Sequence, residues 1–154
     1  MKKILFVCYG NICRSPMAEM IMKKLVKDEN LENEFYIESA ATSKEEIGSD
    51  IYSLARQKLI EKGIPLEARR ARQLRIDDYD NFDYIIGMEA SNISAIKNVI
   101  GLDHNNKILR LLDYTDDPRN ISDPWFSGKF EEVYNEIYEG CVSFLAYLKE
   151  NEQL

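Results

Sequence analysis

The residues with the most chemical promise stand in one stretch, Val7-Cys8-Tyr9-Gly10-Asn11-Ile12-Cys13-Arg14-Ser15-Pro16. Cys8 and Arg14 bracket five residues. If that stretch is a loop running from a strand into a helix, its successive backbone N–H groups can curl around an anion. The helix dipole adds positive potential at the same point. Arg14 supplies a planar fork suited to two phosphate oxygens. Both influences favour a thiolate at Cys8. The amides of Tyr9, Gly10, Asn11, Ile12 and Cys13 would then surround three oxygens of a phosphoryl group, and Arg14 would close the ring. The fourth oxygen, the leaving one, would lie in line with Cys8. Phosphoryl transfer needs chiefly such positioning and charge neutralisation, so no metal or cofactor is called for. Ser15 stands close enough in sequence to give its hydroxyl hydrogen to the thiolate.

A second element completes the chemistry. An oxide leaving group needs a proton, and Asp123-Pro124-Trp125-Phe126 offers a carboxyl group in a late loop. Trp125 and Phe126 would form a partly apolar wall that keeps Asp123 protonated and grips a flat aromatic leaving group. Other features read as bland. His104 is the only histidine, so a His-rich zinc site or a Cys-His pair has little to draw on. Met17, Met20 and Met22 read as ordinary helix residues. Arg69, Arg70, Arg72 and Arg75 read as a solvated basic face.

The elements that must position these groups follow from hydrophobic patterning. Lys2 to Cys8 reads as a buried parallel strand. The apolar run after Met1-Lys2-Lys3 is too short for a signal peptide. Tyr9 to Arg14 reads as a tight loop. Ser15 at an N-cap and Pro16 at the first helical position then open a helix that frays near Asp28 to Asn30. Phe35 to Ala41 is a second strand, Ala41 to Asp50 a surface loop, and Ile51 to Lys62 a helix stopped by Gly63 and Pro65. After a turn over Asp77 to Asp83 come a strand from Tyr84 to Met88, a helix from Ser91 to Ile100 and a strand from Lys107 to Leu112. Tyr114 to Gly128 reads as one long loop, and Phe130 to Leu148 as an amphipathic final helix. Alternating strands and helices predict an α/β fold of three layers, a four-stranded parallel sheet flanked by helices on both faces. Ligands of such sheets bind beyond the carboxyl ends of the strands, and the first such end is at Cys8.

Composition bounds the function. The chain has 154 residues, 45% hydrophobic and 31% charged, which suits a single domain spanning 1–154. A chain of this size buries roughly 70% of its unfolded surface, so it folds without disulfide or structural metal. The net charge of −7 argues against nucleic acid as a partner and gives an anionic substrate no long-range attraction. No apolar run suits a membrane span. Three cysteines, Cys8, Cys13 and Cys141, without a Cys-x-x-Cys motif point to a reducing, cytoplasmic setting.

The run from Val7 to Pro16, followed by Asp123-Pro124, resembles the low-molecular-weight protein tyrosine phosphatase family. Glu38-Ser39-Ala40-Ala41-Thr42-Ser43, Ala71-Arg72-Gln73, Phe82-Asp83-Tyr84-Ile85 and Met88-Glu89-Ala90-Ser91-Asn92 resemble it too. The resemblance implies hydrolysis of phosphotyrosine proteins or peptides and small aryl phosphates, with inorganic phosphate as product. It implies Cys8 as nucleophile, Arg14 as phosphate clamp and Asp123 as general acid. Asn11, bonded to Ser15 and Ser39, would hold the loop in its unusual shape. Ser15 would stabilise the Cys8 thiolate as a leaving group. Cys13 would form a reversible disulfide with Cys8 against over-oxidation. The family often places an aromatic wall of the cleft where this chain has Lys44 and Glu45. Trp125 and Phe126 stand where some members carry two phosphorylated tyrosines, and Ile12 where phosphoarginine-directed relatives carry threonine. Two other activities fit the same loop: a thiol-linked arsenate reductase, and a redox-sensing phosphate-binding module.

Overall fold

The computed structural model describes every residue of the chain except Gln153. Its organising element is β1 (Lys2–Cys8), whose side chains alternate between two apolar clusters. Ile4, Phe6 and Cys8 face one, and Leu5 and Val7 the other. A strand covered on both faces needs this unbroken apolar run. β2 (Phe35–Ala41) pairs with β1 in parallel from Lys2 opposite Phe35 to Cys8 opposite Ala41. On the other side β3 (Tyr84–Gly87) pairs in parallel with β1, and β4 (Ile108–Arg110) with β3. The order β2-β1-β3-β4 makes a four-stranded parallel sheet. The chain leaves β1 toward β2 and later crosses back past β1 to β3. A crevice therefore opens at the carboxyl end of β1, where the strand connections diverge.

Helices cover both faces. α1 (Arg14–Asp28), α2 (Ser53–Glu61) and α6 (Phe130–Asn151) pack on the Ile4–Phe6 side. The single turn α3 (Asp78–Asn81) and α4 (Ala90–Ile100) contribute Tyr79 and Ile96 to the Leu5–Val7 side. Met17, Met20 and Met22 are core residues of α1. In α6, Gly140 lets the helix lie against the 3-10 turn Leu111–Tyr114, since a Cβ there would stand 2.5 Å from Leu111 Cγ. Among the described residues no helix is long and apolar enough to cross a membrane.

The structure departs from the sequence expectations at short elements. α1 begins at Arg14 with Cys13 at its N-cap and no side-chain cap, so Ser15 is not the N-cap residue. Its hydroxyl is turned to Cys8 instead. β4 ends at Arg110 because Asp113 accepts the Arg110 N–H at 3.0 Å and bends the chain into the 3-10 turn. The Asp77 to Asp83 segment winds into α3, and the long late loop contains the single turn α5 (Pro124–Ser127). α5 has an Asp N-cap, proline at its start and Gly128 at φ 74° past its end, a full set of stop and start signals on four residues. Pattern reading needs more than one turn to show a period.

Candidate active site

Cys8 is the last residue of β1, and its carbonyl accepts the Thr42 N–H at 2.9 Å. Beyond it the chain turns sharply. Asn11 is fully buried and has a φ of 58°, a left-handed conformation that asparagine tolerates better than most residues. Its side chain holds that turn. Nδ2 donates to Ser15 Oγ at 2.8 Å and to Ser39 Oγ at 2.9 Å. Oδ1 accepts the Arg72 N–H at 3.2 Å and a bond from Arg69 Nη2, which also reaches the Asn11 carbonyl at 2.7 Å.

The donors and acceptors of this network set its direction. Ser39 Oγ donates to Glu19 Oε1 at 2.6 Å, and Glu19 is nearly buried. A carboxylate only accepts, so the Ser39 proton points to Glu19 and the Ser39 oxygen is free to accept from Asn11. Ser15 Oγ likewise accepts from Asn11, and of the two acceptors then within reach of its own proton, Cys8 Sγ at 3.0 Å is nearer than the Ala40 carbonyl at 3.5 Å. The backbone N–H groups of Asn11 and Ser15 approach the same sulfur at 3.3 and 3.4 Å. Three donors thus converge on Sγ.

Arg14 is buried beside them. Nη1 pairs with Glu89 and donates to the Ile121 carbonyl at 2.8 Å, and Nη2 lies 3.5 Å from Asp123 Oδ2. Glu89 is itself fixed as the N-cap of α4 in a reciprocal capping box with Asn92. Asp123 Oδ1 accepts the Trp125 N–H at 3.0 Å. Trp125 and Phe126 line the cleft with Asp123, as expected of an apolar wall, but they do not enclose its carboxylate. Phe126 is 85% exposed, Trp125 leans on the Tyr52 ring at 4.8 Å, and the carboxylate's neighbours are a guanidinium and an amide.

A cleft opens here, lined from three chain segments. The loop contributes Cys8, Tyr9, Gly10, Ile12, Cys13 and Arg14. The segment after β2 contributes Glu45 and Glu46, and the late loop Asp123, Trp125 and Phe126. Ser15, Asn11 and Ser39 stand behind the loop rather than in the cleft. Burial, then negative charge at Cys8 and Asp123, pushes the Cys13 thiol up to about 12. Cys141 lies fully buried in α6 with Sγ 3.8 Å from the Ala18 carbonyl, so it offers no accessible thiol for an arsenate relay.

Several supporting residues escaped the sequence reading. Glu19 carried no signal beyond an acidic residue on a helix, and Glu89 stands in a stretch that resembles the family without a role being read for it. The arginine cluster, expected as a solvated face, is so for half of its members only. Arg69 clamps Asn11, and Arg72 grips Asp78 at 3.0 and 3.1 Å and Glu38 at 3.3 Å. Only Arg70 and Arg75 are exposed. Their neighbours lie far away in sequence, so no local pattern distinguished the two kinds.

A strand that ends on a cysteine sulfur, a turn that aims donors at it and a buried arginine at the next helix start form, on an α/β sheet, the kind of site a cysteine-dependent phosphatase would need. Comparison with known proteins agrees. Residues 3–154 match the family model described as low molecular weight phosphotyrosine protein phosphatase, and the chain belongs to that family of protein-tyrosine phosphatases. It is 40% identical to the low molecular weight protein-tyrosine-phosphatase YfkJ of Bacillus subtilis, with all of both chains covered. The crystal structure of YfkJ superposes with a TM-score of 0.94, covering 97% of this chain and 96% of that one. The human low molecular weight phosphotyrosine protein phosphatase is 37% identical over 94% of each chain.

Proposed function

We propose that this phosphatase hydrolyses phosphotyrosine in proteins, and small aryl phosphates, in two steps through a phosphocysteine. Cys8 thiolate attacks phosphorus as the bond to the phenol oxygen breaks. Asp123 gives that oxygen its proton. Water then attacks the phosphocysteine, Asp123 takes the water's proton, and phosphate leaves with the thiolate restored. Loop amides and Arg14 neutralise the equatorial oxygens in both steps. Ser15 steadies the sulfur when it departs. The observation that carries this reading is the convergence of the Asn11 and Ser15 N–H groups and the Ser15 hydroxyl on Cys8 Sγ, with Arg14 and Asp123 lining the same cleft.

Cys13 lines the cleft with Cys8. Peroxide would convert the Cys8 thiolate to a sulfenic acid, and Cys13 sulfur would displace water to form a disulfide that a dithiol reduces again. A cytoplasmic setting fits that chemistry. The decisive test of the main reading is Cys8→Ser: phosphate binding by calorimetry is retained, while turnover of phenyl phosphate and of a phosphotyrosine peptide falls below detection. Full activity in Cys8→Ser would end the proposal.

A further inference from the structure

The rim of the cleft carries charge that the hydrolytic chemistry does not use. Tyr9 is nearly half exposed, and its hydroxyl donates to Glu45 Oε1 at 2.8 Å. The Tyr9 carbonyl accepts the Ser43 N–H at 3.0 Å, so the loop and the segment after β2 are tied through both backbone and side chain. That double tie places an aromatic ring and a carboxylate side by side in the lining of the cleft. Glu45 has a second oxygen with no cation on it, and among the described residues neither Glu45 nor Glu46 forms an ion pair with lysine or arginine. Arg14 is the only cation in the lining, and it is engaged by Glu89 and Asp123. The neighbouring Lys44 is exposed outside the lining.

We infer that Tyr9 and Glu45 together select phosphotyrosines flanked by a basic residue. This rests on the phosphotyrosine reading above and names the substrate class within it. A phosphorylated ring reaching Cys8 leaves its adjoining residues at the rim, within several ångströms of the Glu45 carboxylate. A lysine or arginine there gains an unshared acceptor and a favourable field, whereas a glutamate meets like charge on a molecule already of net charge −7. Tyr9 contributes by holding Glu45 in place through its hydroxyl, and its ring gives an arginine fork a face to lie on. The pairing is solvent-exposed, so the preference is moderate and falls with salt.

The test uses two phosphotyrosine peptides that differ only in arginine or glutamate beside the phosphorylated residue, with phenyl phosphate as a flank-free substrate. In the unaltered protein at low salt, kcat/KM for the arginine peptide exceeds that for the glutamate peptide by about five- to tenfold, the size a rim charge supports, and the ratio shrinks toward one at high salt. Glu45→Lys inverts the ratio and Glu45→Gln flattens it. Tyr9→Phe narrows it without inversion. Because each ratio is taken within one variant, a general loss of activity cancels. A ratio of one or below in the unaltered protein, a ratio insensitive to salt, or an unchanged ratio in Glu45→Lys overturns the inference. A Tyr9→Phe ratio equal to that of the unaltered protein removes Tyr9 from it. Absence of phenyl phosphate hydrolysis would instead strike the phosphatase reading itself.

Discussion

Two cysteines sit in one cleft with opposite prospects. Cys8 receives three donors, whereas Cys13 is buried without such support and its thiol is pushed up to about 12. At pH 7 Cys13 therefore remains a thiol, and only thiolates alkylate at useful rates. Iodoacetamide leaves Cys13 unmodified at pH 7, and mass spectrometry finds it labelled only under strongly alkaline conditions. Asp123 makes a separate prediction. General acid catalysis contributes about 10²- to 10⁴-fold. Asp123→Asn loses activity by about that factor on phenyl phosphate, whose leaving group is poor, and much less on an activated nitrophenyl ester. Equal losses on both esters would remove Asp123 from the acid's role.

At the scale of elements, the turn between β1 and α1 exists because Asn11 is tied from three directions: Ser15 within the loop, Ser39 on β2, and Arg69 with Arg72 from the segment after α2. Removing its side chain costs a strained left-handed residue, about 1–2 kcal/mol, and leaves buried partners unpaired, about 1–3 kcal/mol. Asn11→Ala accordingly lowers stability in urea by about 2–5 kcal/mol and weakens phosphate binding. Asn11→Gly relieves the backbone strain alone. It recovers about 1 kcal/mol of stability but not phosphate affinity, which separates the conformational role from the tethering role. Two variants equal in stability would show that backbone strain is immaterial at this turn. The same ties explain why the cleft is built from segments remote in sequence: each lies at a strand's carboxyl end or beside it, and the sheet brings those ends together.

At the scale of the whole molecule, the site depends on two layers of helices pressed onto one small sheet. α6 closes the larger layer, and Gly140 is where it comes nearest the 3-10 turn after β4. That turn leads into the chain carrying Ile121, whose carbonyl holds Arg14, and then Asp123. Gly140→Val forces atoms into Leu111 and Leu112 and costs about 1–3 kcal/mol by overpacking. Thermal unfolding shows a drop of several degrees, by the usual scaling for a chain of about this size. A variant as stable as the parent would show that the turn shifts freely.

Much of this was legible along the chain. Lys2 to Cys8 announces a strand buried on both faces, because only unbroken apolar residues suit that position, and the Cys8 to Arg14 run stands out because a thiol and a guanidinium are local to one turn. The long helices show themselves through period and length. The short elements did not, since α3 and α5 have one turn each and no period to read. Nor did the partners of the site. Arg69 and Arg70 are the same residue type one position apart, yet one clamps Asn11 and the other is exposed. Glu89 and Glu19 are acidic residues like many others until folding sets them against Arg14 and Ser39. Local sequence determined that a thiol and a guanidinium share one loop, because covalent spacing alone sets Cys8 and Arg14 there. Tertiary structure decided what holds and orients them, because a hydrogen bond or ion pair depends on distance in space, and the sheet converts separations of tens of residues into a few ångströms.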